Sequence, residues 1–319
     1  MVFGMLAPVR WRRAKAAVSA LVVAAVASVL VGCGSSATSS GGSPSAPPCP
    51  VSPVSVVVTT NVWGSVVDQL AGQCANVNVI ITSAAADPHD FEPTAATSAA
   101  FSSAKLIVQN GLGYDSWANR IEASLGGTAP PVLDLGAAVG LKVGANPHIW
   151  YSPTYVQQSA AAITDKLKAA LPEAATYFQG QASTFQAALG PYLDEVALIK
   201  SKAAGTAIGA TESLFAYMAQ ATGLNVTTPA GFMLAQANGT DPSAGDVATF
   251  RTQLSDGTDK ALIYNTQTQG GLPTAMRQIA VQNNVPVVEV TETLTPEGAT
   301  FQAWQLAQLQ NLYTALGGK

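Results

Sequence analysis

The stretch from Glu173 to Gly205 reads EAATYFQGQASTFQAALGPYLDEVALIKSKAAG. Its apolar residues fall at Phe178, Ala182, Phe185, Leu189, Tyr192, Val196 and Ile199, in alternating steps of four and three. That spacing lays one stripe along one face of a long helix, and few strand formers compete with it. Gly190-Pro191 interrupts the stripe near its middle. A proline inside a helix lacks the N–H the ladder needs and crowds the preceding turn, at a cost of about 3 kcal/mol. The stretch therefore predicts a long helix kinked near residue 190, or two helices in series.

On both sides the pattern changes. Upstream, short β-branched runs at 53–60, 76–82, 105–109 and 131–134 alternate with amphipathic segments at 62–72, 94–103, 116–125 and 153–170. Downstream the alternation restarts, with strands near 205–210, 224–228, 260–265 and 285–290. Helices are predicted near 212–222, 242–255, 271–283 and 299–316. Alternating units of this length build parallel sheets flanked by helices. The expected fold class is α/β, with two βα lobes (52–172 and 205–319), each with a mainly parallel sheet, joined by a linker helix at 173–204.

The N-terminus reads as an address rather than a fold. Residues 1–15 carry Arg10, Arg12, Arg13 and Lys15 and no acid, and an uncharged Ala- and Val-rich run follows from Ala16 to Gly32. That run is at the short edge for a spanning helix and suits the core of a secretory signal. It ends in Leu30-Val31-Gly32-Cys33, followed by Gly34-Ser35-Ser36, which resembles the bacterial lipobox. The resemblance implies a signal peptide at 1–32, lipidation of Cys33, and a place on the extracytoplasmic face of a bacterial cell membrane. The alternative is an uncleaved anchor with an incidental cysteine. Arg12-Arg13 leaves open whether export is by the general secretory or the twin-arginine route. From Gly34 to Pro48, GSSATSSGGSPSAPP has no charge and no large apolar side chain, so residues 33–51 read as the lipidated cysteine and a flexible tether.

With Cys33 assigned to lipid, Cys49 and Cys74 remain. Outside the cytoplasm two leftover cysteines are most simply a disulfide. If the strands after each are parallel neighbours, their starts lie side by side, which is the geometry a bridge requires. Two free buried thiols are the alternative. Neither cysteine has the CxxC spacing of a metal ligand.

At 319 residues, 48% hydrophobic, 11% charged and a net charge of −4, the chain is neither disordered nor a nucleic-acid binder. Removing the four N-terminal positive charges with the signal takes −4 to −8. Such a surface suits a cationic or neutral partner. The chain has only 2 His. One lies in Asp87-Pro88-His89-Asp90-Phe91-Glu92-Pro93, the other in Asn146-Pro147-His148-Ile149-Trp150. Both follow proline and both fall in loops after a strand, a parallel context that incidental histidines rarely share.

These motifs resemble those of the cluster A-I solute-binding lipoproteins of ABC importers for manganese and zinc, over roughly residues 52–316. DPHDFEPT is similar to that family's first-ligand loop, NGLGYDSW (110–117) to its glycine-rich turn, and NPHIWYSP (146–153) to its second-ligand loop. At the last of these the family usually has Asp where Asn146 stands. The segment from Ala210 to Tyr217 aligns with the third-ligand segment, and Thr291-Glu292-Thr293-Leu294 with a C-terminal one. The resemblance implies metal bound in a cleft between the lobes by His89 and His148 from the first and Glu212 and Glu292 from the second. If Glu292 is not the fourth ligand, Glu289 is the substitute. Glu212 at a helix start would be kept ionised by the helix dipole.

Two imidazoles and two carboxylates offer four to six donor atoms, which suits Mn2+ ahead of Zn2+, with Fe2+ third. Glu at the third position resembles the manganese-type members, and no His-rich loop of the zinc type is present. The partners implied are a divalent metal ion and an ABC permease in the membrane, the protein itself being a monomer. The rival classes are a metal-dependent hydrolase and an adhesin or structural lipoprotein. HExxH and GxSxG are both absent, and four protein ligands close a site rather than leave the open position catalysis needs.

Overall fold

The computed structural model describes residues 47–83, 91–237, 239–268 and 270–318. Residues 1–46, which include the expected signal peptide, Cys33 and most of the expected tether, and residues 84–90, which include His89, lie outside the described residues.

The first lobe runs β1 (Val54–Thr60), α1 (Asn61–Ala71), β2 (Ala75–Ile81), α2 (Ala95–Ser103), β3 (Leu106–Gln109), α3 (Ser116–Leu125), β4 (Val132–Asp134), α4 (Leu135–Ala138) and α5 (Pro153–Ala170). Its four strands pair in the order β2-β1-β3-β4, all parallel. A parallel sheet is covered on both faces, so its inner strands are apolar on both. Val56 and Val58 point into the main core and Val57 into a smaller one on the opposite face. Leu106 and Val108 divide from Ile107 in the same way.

In the register of the pair, Val54 lies opposite Ala75, which brings Cys49 and Cys74 together just ahead of the two strands. They form a disulfide with their Cα atoms 5.0 Å apart. At the end of α1, Gly72 adopts φ +50 beneath the Tyr177 hydroxyl, where a side chain would collide.

The linker is two helices in series, α6 (Ala175–Ala188) and α7 (Gly190–Ala203), meeting at Leu189. Leu189 keeps helical dihedrals, accepts from Leu193 N–H and donates to Phe185 O, so the axis bends without unwinding. The bend sits where Pro191 has no N–H to give. Phe178, Phe185, Leu189, Tyr192, Val196 and Ile199 are all buried, as the stripe requires.

The second lobe runs β5 (Ala207–Ala210), α8 (Ala216–Thr222), β6 (Asn225–Val226), α9 (Ala230–Ala237), α10 (Ala244–Ser255), β7 (Leu262–Asn265), α11 (Gly271–Gln282), β8 (Val287–Val290) and α12 (Phe301–Ala315). The strand order is β6-β5-β7-β8, again all parallel. Ile263, Val288 and Val290 face the main core, while Leu262 meets Phe232, Phe250 and Met276 in a third cluster. The main core continues from the first lobe through α5, α6 and α7 into α12 and the second lobe.

Two short helices, α4 and α9, have no counterpart in the periodicity. The helix predicted from residue 212 starts with a 3-10 turn at Ser213–Phe215 before α8 takes over. Among the described residues no helix is long and apolar enough to cross a membrane.

Candidate metal centre

In open parallel sheets the C-terminal strand ends face the crevice where ligands bind. Glu212 follows β5 by two residues and Glu292 follows β8 by two, so both carboxylates stand at that edge of the second lobe. His148 lies in the loop after α4, just ahead of a 3-10 turn at Ile149–Tyr151, and is 5% exposed. One donor atom from each of His148, Glu212 and Glu292 lies within 4.8 Å of the other two. An ion held at about 2.0–2.2 Å from nitrogen and carboxylate donors needs only a short inward movement of these side chains.

Neighbours orient each one. His148 Nδ1 lies 2.7 Å from Asn146 Oδ1, which also accepts the His148 backbone N–H at 3.0 Å. The other end of the Asn146 amide donates to Ser213 O at 2.8 Å, so the oxygen must face the imidazole. An amide oxygen only accepts, so the proton sits on Nδ1 and Nε2 is the electron-pair donor. The ring stands edge-on to Trp150, with centroids 5.3 Å apart. Glu212 Oε1 accepts from the Thr268 hydroxyl at 2.7 Å. Glu292 Oε1 accepts from Asn265 Nδ2 at 2.8 Å, and its Oε2 accepts from the Tyr114 hydroxyl, across the cleft, at 3.2 Å.

The turn carrying Tyr114 is built from within. Asp115 Oδ2 accepts from the Thr59 hydroxyl and Asn110 N–H, each at 2.7 Å, and Oδ1 accepts from Gly111 N–H at 2.9 Å. Burial pushes the Asp115 carboxyl up, and these hydrogen bonds pull it partly back. Trp63 Nε1 donates to Asn110 Oδ1 at 2.8 Å, while Asn110 Nδ2 donates to Pro147 O at 3.0 Å. NGLGYDSW is thereby tied to the loop of His148. Gly111 has φ +77 with the Asp134 carboxylate against it, a position no side chain could take.

His148, Glu212 and Glu292 are thus brought together, and His89 lies outside the described residues. Glu289 is turned away: it sits within β8, exposed, and accepts from Arg277 Nη2 at 3.0 Å. Glu92 is exposed. Sequence reasoning missed Tyr114, Asn265 and Thr268 as carboxylate partners and Asn146 as the histidine's. Tyr114 and Asn146 stood inside quoted motifs, and Asn265 is the last residue of a strand, the place where ligand-side residues gather. Thr268 carried no such signal.

Two parallel-sheet lobes on a bent helix, with donors from both meeting at their strand ends, define a two-lobed binding protein. Residues 56–315 match the family described as ZnuA, zinc-uptake complex component A, periplasmic, and the chain belongs to that family of binding proteins, not enzymes. The high-affinity zinc uptake system protein ZnuA of Bacillus subtilis is 24% identical over 61% of this chain and 66% of its own length. The manganese-binding lipoprotein MntA of Halalkalibacterium halodurans is 26% identical over 41% and 44%. The chain thus matches less than two thirds of each of these relatives. The fold resembles that of FpvC from Pseudomonas aeruginosa, solved with Mn2+, at a TM-score of 0.69. The identity there is 21%, over 83% of this chain and 98% of that one.

Proposed function

We propose that this chain is an extracytoplasmic solute-binding lipoprotein, anchored through Cys33, that captures a divalent transition metal between its lobes and delivers it to an ABC import permease. The convergence of His148, Glu212 and Glu292 donor atoms within 4.8 Å carries the reading. His89 completes the set as fourth ligand, a reading supported by its place in the sequence eight residues after Ile81, the C-terminal end of β2. Resemblance to a zinc uptake protein and to a manganese-binding lipoprotein supports the class of cargo. Two carboxylates that can each bind through one or both oxygens favour Mn2+ over Zn2+, with Fe2+ third.

The test is competitive loading with Mn2+, Zn2+ and Fe2+ followed by elemental analysis and thermal melting. One metal per chain is expected, and the melting temperature rises with free metal as RT ln(1 + [L]/Kd) predicts. In His148→Ala combined with Glu292→Gln the shift disappears. An undiminished shift in that double variant overturns the site. Preferential retention of Zn2+ overturns the order of metals but not the site.

A further inference from the structure

Glu292 is held by a donor on each oxygen, and the two donors come from different lobes. Asn265, the last residue of β7, lies opposite Val290 in the register of the sheet, and Val290 stands two residues ahead of Glu292. Asn265 is buried, and its Oδ1 accepts from Gln267 N–H at 3.0 Å. A backbone N–H only donates, so the amide cannot turn over and Nδ2 must face the carboxylate. Nδ2 donates to Glu292 Oε1 at 2.8 Å. Oε2 takes the Tyr114 hydroxyl at 3.2 Å from the first lobe. Tyr114 stands beside His148, ring edge to ring with centroids 6.2 Å apart, and packs on Trp150.

A carboxylate that chelates an ion presents both oxygens to it. Here Oε1 is turned to the end of β7 in its own lobe, and Oε2 is the oxygen turned to the lobe that carries His148. Swinging Oε1 round to the same ion would break the Asn265 bond and leave a buried amide N–H without its acceptor.

We propose that Asn265, assisted by Tyr114, holds Glu292 to ligation through one oxygen and so sets how the centre discriminates between metals. The proposal rests on the reading of Glu292 as a ligand and narrows it. The site offers one oxygen fewer than its residue types allow, and any two-oxygen ligation falls to Glu212. Zn2+ is satisfied by four donors, whereas Mn2+ prefers an octahedral six. Asn265 is thus a positioning residue that moderates the preference for Mn2+ which two freely chelating carboxylates would give.

The test measures Mn2+ and Zn2+ affinities, and the visible absorption of the Co2+ form, in the full chain. The parent is compared with Asn265→Ala, Tyr114→Phe and Glu292→Gln. In Asn265→Ala the Zn2+ affinity falls by about 10- to 100-fold, as loss of an outer partner of a ligand does, while Mn2+ is compensated by the second oxygen. The ratio of Zn2+ to Mn2+ affinity therefore falls by about tenfold or more. The d–d absorption of Co2+ weakens, because an added donor brings the centre closer to octahedral. Tyr114→Phe keeps the ring on Trp150 and shifts ratio and spectrum the same way by less, its bond being the longer. Equal weakening of both metals, with Co2+ absorption unchanged, is what a merely structural role would give, and it overturns the proposal. Where Asn265→Ala does not fold, an unshifted ratio and spectrum in Tyr114→Phe overturn it alone. Parent-level affinities in Glu292→Gln show that Glu292 is no ligand and overturn both readings. Loss of affinity in Glu292→Gln together with an unshifted ratio in the other variants overturns the one-oxygen assignment only.

Discussion

Asn146 shows how much one side chain can decide. Its oxygen takes both the ring N–H and the backbone N–H of His148, while its nitrogen holds Ser213 O in the other lobe. It therefore selects the tautomer and ties the histidine to the segment of Glu212. Removing such a partner of a metal-binding histidine typically costs 10- to 100-fold in affinity. Asn146→Ala should lose about that much affinity for the transferred metal while its circular dichroism stays that of the parent, as a metal titration would show. The family's usual Asp would supply the same acceptor with a full negative charge. Asn146→Asp is then the conservative variant that should restore binding. Glu289 and Glu292 are also separated at this scale: Glu289 alternates outward on β8 and pairs with Arg277, whereas Glu292 lies past the strand end, beside His148 and Glu212.

Among the elements, the disulfide fastens the segment ahead of β1 to the start of β2, closing a loop of 25 residues. Restricting an unfolded loop of that length is worth about 3 kcal/mol in the chain-entropy account. Cys49→Ser with Cys74→Ala should lower stability by about that much in urea denaturation, and reduction of the parent by a similar amount. The strands and long helices were legible because their periods are local: alternate residues of β1 enter different cores, and the linker's stripe is buried at every position but the half-buried Ala182. Helices α4 and α9 were not legible. The first is a single capped turn held by Asp134 at Ala137 N–H. The second buries only Phe232, too little for a periodic signal.

At the scale of the whole molecule, the lobes do not merely flank the linker. Asn61 exchanges two hydrogen bonds with the backbone of Leu294, Phe301 N–H donates to Ser65 Oγ at 3.0 Å, and Tyr151 donates to Thr291 O at 2.8 Å. The main core runs unbroken from one lobe to the other. A wide hinge opening would have to break these contacts and expose that core. Small-angle scattering of metal-free and metal-bound protein should therefore give radii of gyration within about 1 Å of each other.

The sequence by itself determined the kinds of element, the two lobes about a bent helix and the few residues with metal chemistry. Each of these follows from local spacing or from residue type. Which carboxylate faces the histidine, which hydroxyls and amides hold the ligands, and how the lobes lock together were decided only by the tertiary structure. Parallel strands joined by helical crossovers carry residues as far apart as Tyr114 and Glu292 to facing edges of two sheets, and no local period records that meeting.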